Sequence, residues 1–380
     1  MIPRQLESVI KSHLHQKRAI VVLGPRRVGK TTLMQTLFDP ARPEVRWFNG
    51  EEVDTRQKFA TLTADTLKIS LGDAKIIVID EAQRIDSIGL VVKILVDKYP
   101  ELQILVTGSS ALELADGLFE SMTGRSWNFP LYPLSFEELA GKSKLVEALR
   151  LLPHRMIYGF YPNVVTSPGQ EQKILINLCE GALYKDVLNY QQLKRPALLE
   201  KLLQALALQL GSEVSFHELG QLIQSNPETV ERYIDLLEKA FVLFRLPALS
   251  RNRRNEIKRG RKIYFLDNGV RNALIQNFAP LTLRNDVGGL WENFCIVERM
   301  KTLAYHGKYV NRFFWRTHTQ QKIDYIEEYE GKLHAYEFKW NPKAKTKIPK
   351  SFLEAYPGTE VRVITPDNFH EFAIIKDEWK

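Results

Sequence analysis

Cysteine is scarce. Cys179 and Cys295 are the only two in 380 residues, and neither has a partner at metal-ligand spacing. A disulfide framework and a cysteine zinc site are therefore not expected, and both thiols should be reduced and buried. Long apolar runs are missing too, since none approaches the roughly 20 residues that a membrane-spanning helix needs. The opening stretch MIPRQLESVIKSHLHQKR is polar and helical in pattern, unlike a secretion signal. These absences predict a cytoplasmic protein with no membrane partner. Acid is in deficit: 45 Asp and Glu face 53 Lys and Arg, a net charge of +8, which favours an anionic partner. The rest, 44% hydrophobic and 26% charged, is ordinary for a globular protein. A chain of 380 residues exceeds one compact core, so two or three domains are expected.

Residues 19–31, AIVVLGPRRVGKT, are the most informative stretch. Ala19 to Leu23 reads as a buried parallel strand. It runs into Gly24, Pro25, Arg26, Arg27, Val28, Gly29, Lys30 and Thr31, which satisfies the phosphate-loop pattern G-x-x-x-x-G-K-[ST]. A helical pattern from Thr32 to Phe38 completes the strand–loop–helix context. Glycines let successive backbone N–H groups point inward at phosphate oxygens, and the helix N-terminus adds its positive dipole end. Lys30 is expected on the β and γ phosphates of ATP, and the Thr31 hydroxyl on Mg²⁺.

A second apolar strand, Ile76 to Ile79, ends in Asp80-Glu81-Ala82-Gln83. Downstream of a phosphate loop, this pair predicts Asp80 at the metal and Glu81 as the base that orients and deprotonates the attacking water. A third run, Leu102 to Val106, ends in Thr107-Gly108-Ser109-Ser110. In ATPases with an extra strand between the lysine and acidic strands, this place carries a γ-phosphate sensor. Ser109 is the first choice and Thr107 the reserve; Ser109 reads equally well as an N-cap for a helix starting near Ala111.

GPRRVGKT, VIDEAQ, TGSS, then Thr123-Gly124-Arg125 followed by PLSFEE, and Tyr158-Gly159-Phe160-Tyr161-Pro162 together resemble a bacterial and archaeal branch of the AAA-type ATPases. The resemblance covers nearly the whole chain and implies a C-terminal nuclease-like region. It also implies that Arg125 is an arginine finger or sensor arginine, against the plainer reading of a surface arginine at a strand start. A finger supplied by a neighbour would require a homo-oligomer. Phe160 departs from the branch pattern, standing where a second glycine is usual.

Residues 137–196 read as a helical lid. Residues 197–270 follow the order helix, helix, turn, helix, hairpin, which is that of a winged helix. Ser215 and Glu218 have capping-box spacing, and Pro227 opens the third helix. The hairpin tip carries Arg251, Arg253, Arg254, Lys258, Arg259, Arg261 and Lys262 against one Glu256, a local charge of +6. Clustered cations predict DNA backbone contact, and the third helix offers few base-reading side chains. A solvated loop on a protein-docking domain is the alternative.

In the last third, Lys322–Tyr329 and Lys332–Lys339 flank Glu330-Gly331. A two-residue turn there pairs Tyr329 with Lys332, Ile326 with Ala335, and Asp324 with Glu337. Opposed carboxylates about 5 Å apart destabilise a sheet, and a divalent cation would offset that. Lys339 projects on the same face. Asp, then Glu-x-Lys on the adjacent strand, resembles the restriction-endonuclease-like fold. Asp324 and Glu337 would be its metal ligands, Lys339 would position the nucleophile, and Glu292 would be an added ligand. A metal-free docking scaffold is the alternative. The expected architecture is α/β: a P-loop NTPase parallel sheet in residues 1–136 with a helical lid in 137–196, a winged helix in 197–270 and a nuclease-like α/β domain in 271–380. Three functions fit it: an Mg²⁺- and ATP-dependent ATPase acting on nucleic acid, an ATP-gated DNA nuclease, and an ATP-dependent signalling switch that recruits protein.

Overall fold

A computed structural model describes residues 2–61, 64–109, 122–183, 195–250 and 260–375. Its first layer is a five-stranded sheet. The strands are β1 (Ala19–Leu23), β2 (Val45–Asn49), β3 (Ile76–Asp80), β4 (Gln103–Gly108) and β5 (Ser126–Pro130), in the spatial order β2-β3-β4-β1-β5. Every pairing is parallel. Such a sheet is covered on both faces, which is why β1 is buried at all five positions. Strand β4 lies between β1, which feeds the phosphate loop, and β3, which ends in Asp80. That is the extra strand expected between the lysine and acid motifs.

Short helices follow β5: Phe136–Lys142, Leu145–Arg150, Leu152–Tyr158, Pro162–Thr166 and Glu171–Leu178. The first is fixed by a complete capping box, in which Ser135 Oγ accepts from Glu138 N–H while the Glu138 carboxylate accepts from Ser135 N–H. The turn at Gly159 has φ of +70°, the left-handed region that glycine enters freely. Phe160 has no such φ. Its ring is buried beside Phe294 and Lys301, so the branch's second glycine is not needed here.

Next come helix Pro196–Leu208, β6 (Glu213–Val214), helices Phe216–Ile223 and Pro227–Lys239, then β7 (Leu243–Pro247) and β8 (Arg261–Phe265). The strands form an antiparallel sheet ordered β6-β8-β7. Ser215 Oγ and Asn226 Oδ1 cap the second and third helices by accepting backbone N–H bonds. Arg251, Arg253, Arg254, Lys258 and Arg259 of the basic tip lie outside the described residues.

Helix Val287–Tyr305, of 19 residues, then leads to β9 (Asn311–Arg316), β10 (Lys322–Tyr329), β11 (Lys332–Phe338) and, after helix Lys350–Ala355, β12 (Glu360–Ile364). The sheet order is β12-β11-β10-β9, with β11 and β12 parallel and the rest antiparallel. The β10–β11 register is the one the turn predicts, with Tyr329 opposite Lys332 and Tyr325 opposite Tyr336. Glu330 and Gly331 both have positive φ, 49° and 76°, which suits a two-residue hairpin. One core is shared across regions: Phe136 and Phe160 pack with Trp291, Phe294 and Phe369. The C-terminal helix therefore packs directly on the helices that follow the parallel sheet.

Candidate functional site

The phosphate loop sits at the C-terminal end of β1, where open α/β sheets place ligands. Gly24 is forced by packing, since a Cβ there would lie 2.1 Å from the Leu131 carbonyl oxygen. Gly29 has φ of +96° and starts helix Lys30–Leu37. Lys30 is 4% exposed, and its Nζ donates to the Gly24 and Pro25 carbonyls at 3.0 and 3.2 Å. The lysine thus spans the loop with its charge at the mouth, and lies 3.8 Å from Glu81 Oε1.

Parallel register carries Asp80 to the same edge. Thr31 Oγ1 donates to Asp80 Oδ2 at 2.7 Å, so a hydroxyl and a carboxylate from elements 49 residues apart meet. Thr107 Oγ1 donates to Asp80 Oδ1 and accepts from the Glu81 N–H at 3.2 Å. Hard oxygen donors of this kind suit Mg²⁺. Glu81 has φ of +48°, a backbone turn that points it away from the strand. Gln83 Nε2 donates to Glu81 Oε2 at 2.6 Å and to Ser109 Oγ at 2.8 Å. The structure therefore brings Lys30, Thr31, Asp80, Glu81, Thr107 and Ser109 together. Gln83, which joins Glu81 to Ser109, was not singled out from the sequence, although it lies two residues beyond the acid.

Beside the loop opens a mostly apolar cavity of about 320 Å³. Ile2, Pro3, Val28, Leu33, Leu134 and Pro162 line it, with Arg4, Glu7, Thr32, Thr36 and Thr166 as its polar lining. A flat, mostly apolar base flanking the triphosphate would fit such a wall. Of this set, sequence reading picks out only Val28 and Thr32, as nucleotide-binding residues of the loop and the helix that follows it. The lining comes from four separate segments, which adjacency in the chain does not reveal.

Arg125 does not join the site within one chain. Its carbonyl accepts from Ala19 N–H at the start of β1, opposite the phosphate loop, and five strand residues span about 16 Å. Its guanidinium instead pairs with Asp97 Oδ1 at 2.6 Å.

The C-terminal carboxylates meet as the register requires, but lysines match them. Lys322 Nζ lies 2.8 Å from Asp324 Oδ1, and Lys339 Nζ lies 2.9 Å from Glu337 Oε2. Glu292 is not an added metal ligand here, because its Oε1 accepts from Lys262 Nζ at 2.7 Å and Tyr264 Oη at 2.6 Å. Burial opposes ionisation of Asp324, yet Lys322 and Lys262 hold it below its ordinary range. Burial and then Asp324 push Glu337 up. Three cations thus supply the compensation that a divalent ion was expected to give. Among the described residues no three His, Cys, Asp or Glu side chains form a metal-binding group. Lys262 is also withdrawn from the basic tip, at 2% exposure against Glu292, while Arg261 pairs with Glu231 at 3.1 Å. No helix among the described residues is long and apolar enough to cross a membrane.

The chain is similar to several known proteins. Residues 16–140 match the family model of an AAA domain. Residues 149–281 and 287–375 match two domains of unknown function, DUF8612 and DUF4143. An uncharacterized protein of Mycobacterium tuberculosis is 26% identical over 341 residues, covering 88% of this chain and 73% of the relative. An uncharacterized protein of Haemophilus influenzae is 26% identical over 279 residues, covering 67% of this chain and 68% of that one. Among solved structures, the Walker-type ATPase of Pyrococcus abyssi is 17% identical with a TM-score of 0.49, covering 72% of this chain and 96% of that one. Residues 16–140 are thus similar to AAA domains, and the parallel sheet with its phosphate loop supports a P-loop fold.

Proposed function

We propose that the protein binds and hydrolyses Mg²⁺-ATP and uses the cycle to act on nucleic acid. The observation that carries the first half is the bond from Thr31 Oγ1 to Asp80 Oδ2 beside a buried Lys30. Thr31 and Asp80 would hold the metal, which when bound neutralises phosphate charge. Lys30 meets the γ-phosphate. Glu81 takes a proton from a water as its oxygen attacks phosphorus, while the bond to the β–γ bridging oxygen breaks and ADP leaves with that electron pair. Ser109, held by Gln83, would contact the γ-phosphate. The base would enter the neighbouring apolar cavity. Phosphate release measured with Mg²⁺-ATP tests this half: the parent turns over and Lys30→Ala does not.

The nucleic-acid half rests on the basic stretch 251–259, with five Lys and Arg against one Glu, and on the element order helix–strand–helix–helix–strand–strand around β6, β7 and β8, which supports a winged helix. Phosphate contact predicts DNA affinity that falls steeply with salt and weakens when Arg251, Arg253 and Arg254 become Ala. Hydrolysis stimulated by DNA would count against a switch that only recruits protein. The Asp324, Glu337 and Lys339 arrangement supports a nuclease-like scaffold. Because lysines already match its carboxylates, we assign it no cleavage step. DNA incubated with Mn²⁺ and ATP is expected to stay intact, and cutting that Asp324→Ala abolished would establish the nuclease instead.

A further inference from the structure

We propose that Arg4 is a positioning residue for the phosphate loop and that Tyr305, on the C-terminal helix, sets Arg4. The inference rests on the loop binding Mg²⁺-ATP. Arg4 has a side chain only 9% exposed and spends its guanidinium on four acceptors. Nη1 donates to the Val28 carbonyl at 2.9 Å, inside the phosphate loop. Nη2 donates to the Tyr132 carbonyl at 2.6 Å and reaches Tyr305 Oη at 3.4 Å. Nε donates to Glu138 Oε1 at 3.0 Å.

The first of these bonds has a directional consequence. A trans peptide points its carbonyl and its N–H in opposite directions. Arg4 holds the Val28 carbonyl on the outer side, so the N–H of Gly29, in the same peptide, is aimed at the inner side where phosphate oxygens go. Gly29 has φ of +96° and would otherwise be the easiest residue of the loop to turn.

The other three bonds fix Arg4 to parts distant in sequence. Glu138 Oε1 also accepts from the Gln5 N–H at 2.9 Å, which anchors the main chain beside Arg4. Tyr305 Oη accepts from the Tyr132 N–H at 3.0 Å. Farther along the same helix, Lys301 Nζ donates to the Leu134 carbonyl at 2.9 Å, and Glu298 Oε2 accepts from the Phe136 N–H at 2.6 Å. Residues 131–136 are therefore a strap held on one side by Leu23 and Arg4 and on the other by helix Val287–Tyr305. That helix also carries Glu292, 13 residues and about 20 Å away, in the C-terminal cleft. One helix thus ends beside Arg4, which bonds the nucleotide loop, and starts in the C-terminal cleft.

Calorimetry of the full chain with Mg²⁺-ATP, paired with thermal unfolding, tests this. A parent that gives no binding heat overturns the ATP reading itself, before any variant is compared. With binding established, Tyr305→Phe removes one acceptor and is expected to weaken affinity about fivefold. Arg4→Lys, whose single ammonium cannot span four acceptors, is expected to weaken it at least tenfold. Variants that melt lower yet bind within twofold of the parent would show a merely structural role and overturn the proposal. Coupling of the loop to this helix through Arg4 predicts that Mg²⁺-ATP slows amide exchange in residues 300–305 of the unaltered protein. Exchange there that ignored the nucleotide would overturn the link to the C-terminal helix.

Discussion

Gly24→Ala is the sharpest perturbation of the phosphate loop. The added methyl would lie 2.1 Å from the Leu131 carbonyl oxygen and 3.1 Å from its carbon. Ordinary contact needs at least about 3 Å, so loop and strap must part by about 1 Å. Leu131 is ill placed to yield. Its N–H donates to the Leu23 carbonyl at 2.6 Å, its side chain is fully buried, and the next residue is held by Tyr305. Overpacking of this kind costs about 1–3 kcal/mol. Misplacing a positioned group by about 1 Å loses on the order of a hundredfold in function. The assay pairs thermal unfolding with Mg²⁺-ATP titration. The expected variant melts a few degrees lower, stays folded at 25 °C and binds on the order of a hundredfold more weakly. A folded Gly24→Ala protein with parental affinity would refute the packing argument and the placement of phosphate against this loop.

Other consequences can be measured independently. Glu81→Gln is expected to lower ATP turnover by about 10²- to 10⁴-fold while leaving Mg²⁺-ATP affinity within a few fold, and a turnover loss under tenfold would remove Glu81 as the base. Arg125→Ala should leave hydrolysis by an isolated chain within twofold; a large loss there would mean that Arg125 reaches its own nucleotide, and a loss seen only on self-association would mean that it serves a neighbouring copy. Arg299 grips Glu327 with two bonds of 2.8 and 2.9 Å between buried side chains. Arg299→Met, which strands that carboxylate, should cost about 3–5 kcal/mol in denaturant unfolding, and adding Glu327→Leu should recover most of it. Burial opposes the Asp286 carboxylate, but hydrogen bonds from Arg284 and Arg271 outweigh it and lower its pKa to about 2. A depressed carboxylate stabilises the fold above its unfolded pKa, near 4, and loses that contribution as pH falls towards 2. With Asp286 a quarter exposed, solvent screening holds the contribution to about 1 kcal/mol. Asp286→Asn should therefore be less stable than its parent at pH 7 and converge on it near pH 2.

The phosphate loop, the acidic strand end and the β10–β11 register were all legible because each is local. A strand feeding a glycine loop, four aliphatics before Asp80, and a turn that fixes pairing by counting need no knowledge of the rest of the chain. What escaped is long-range. Arg4 looked like any polar residue of an opening helix, and only packing shows it bonded to Val28 and Tyr305. The cavity beside the loop joins Pro3, Leu33 and Pro162 from separate segments. The C-terminal cations were half visible. Lys322 stands two residues before Asp324 and so shares its face of the strand, a period-2 argument as available as the one used for Lys339. Lys262, by contrast, was grouped with the basic tip, because the sequence does not show that strand β8 turns it inward onto Glu292. Arg125 was placed by resemblance, and the pairing of β5 with β1 puts it at the wrong end of the sheet.

The measurement that bears most directly on the whole account is isothermal titration of the full-length protein and of Lys30→Ala with Mg²⁺-ATP. Saturable heat from the parent and at least tenfold weaker binding by a folded Lys30→Ala variant are the predicted results. No heat from the parent, or equal affinity in both proteins, would contradict it.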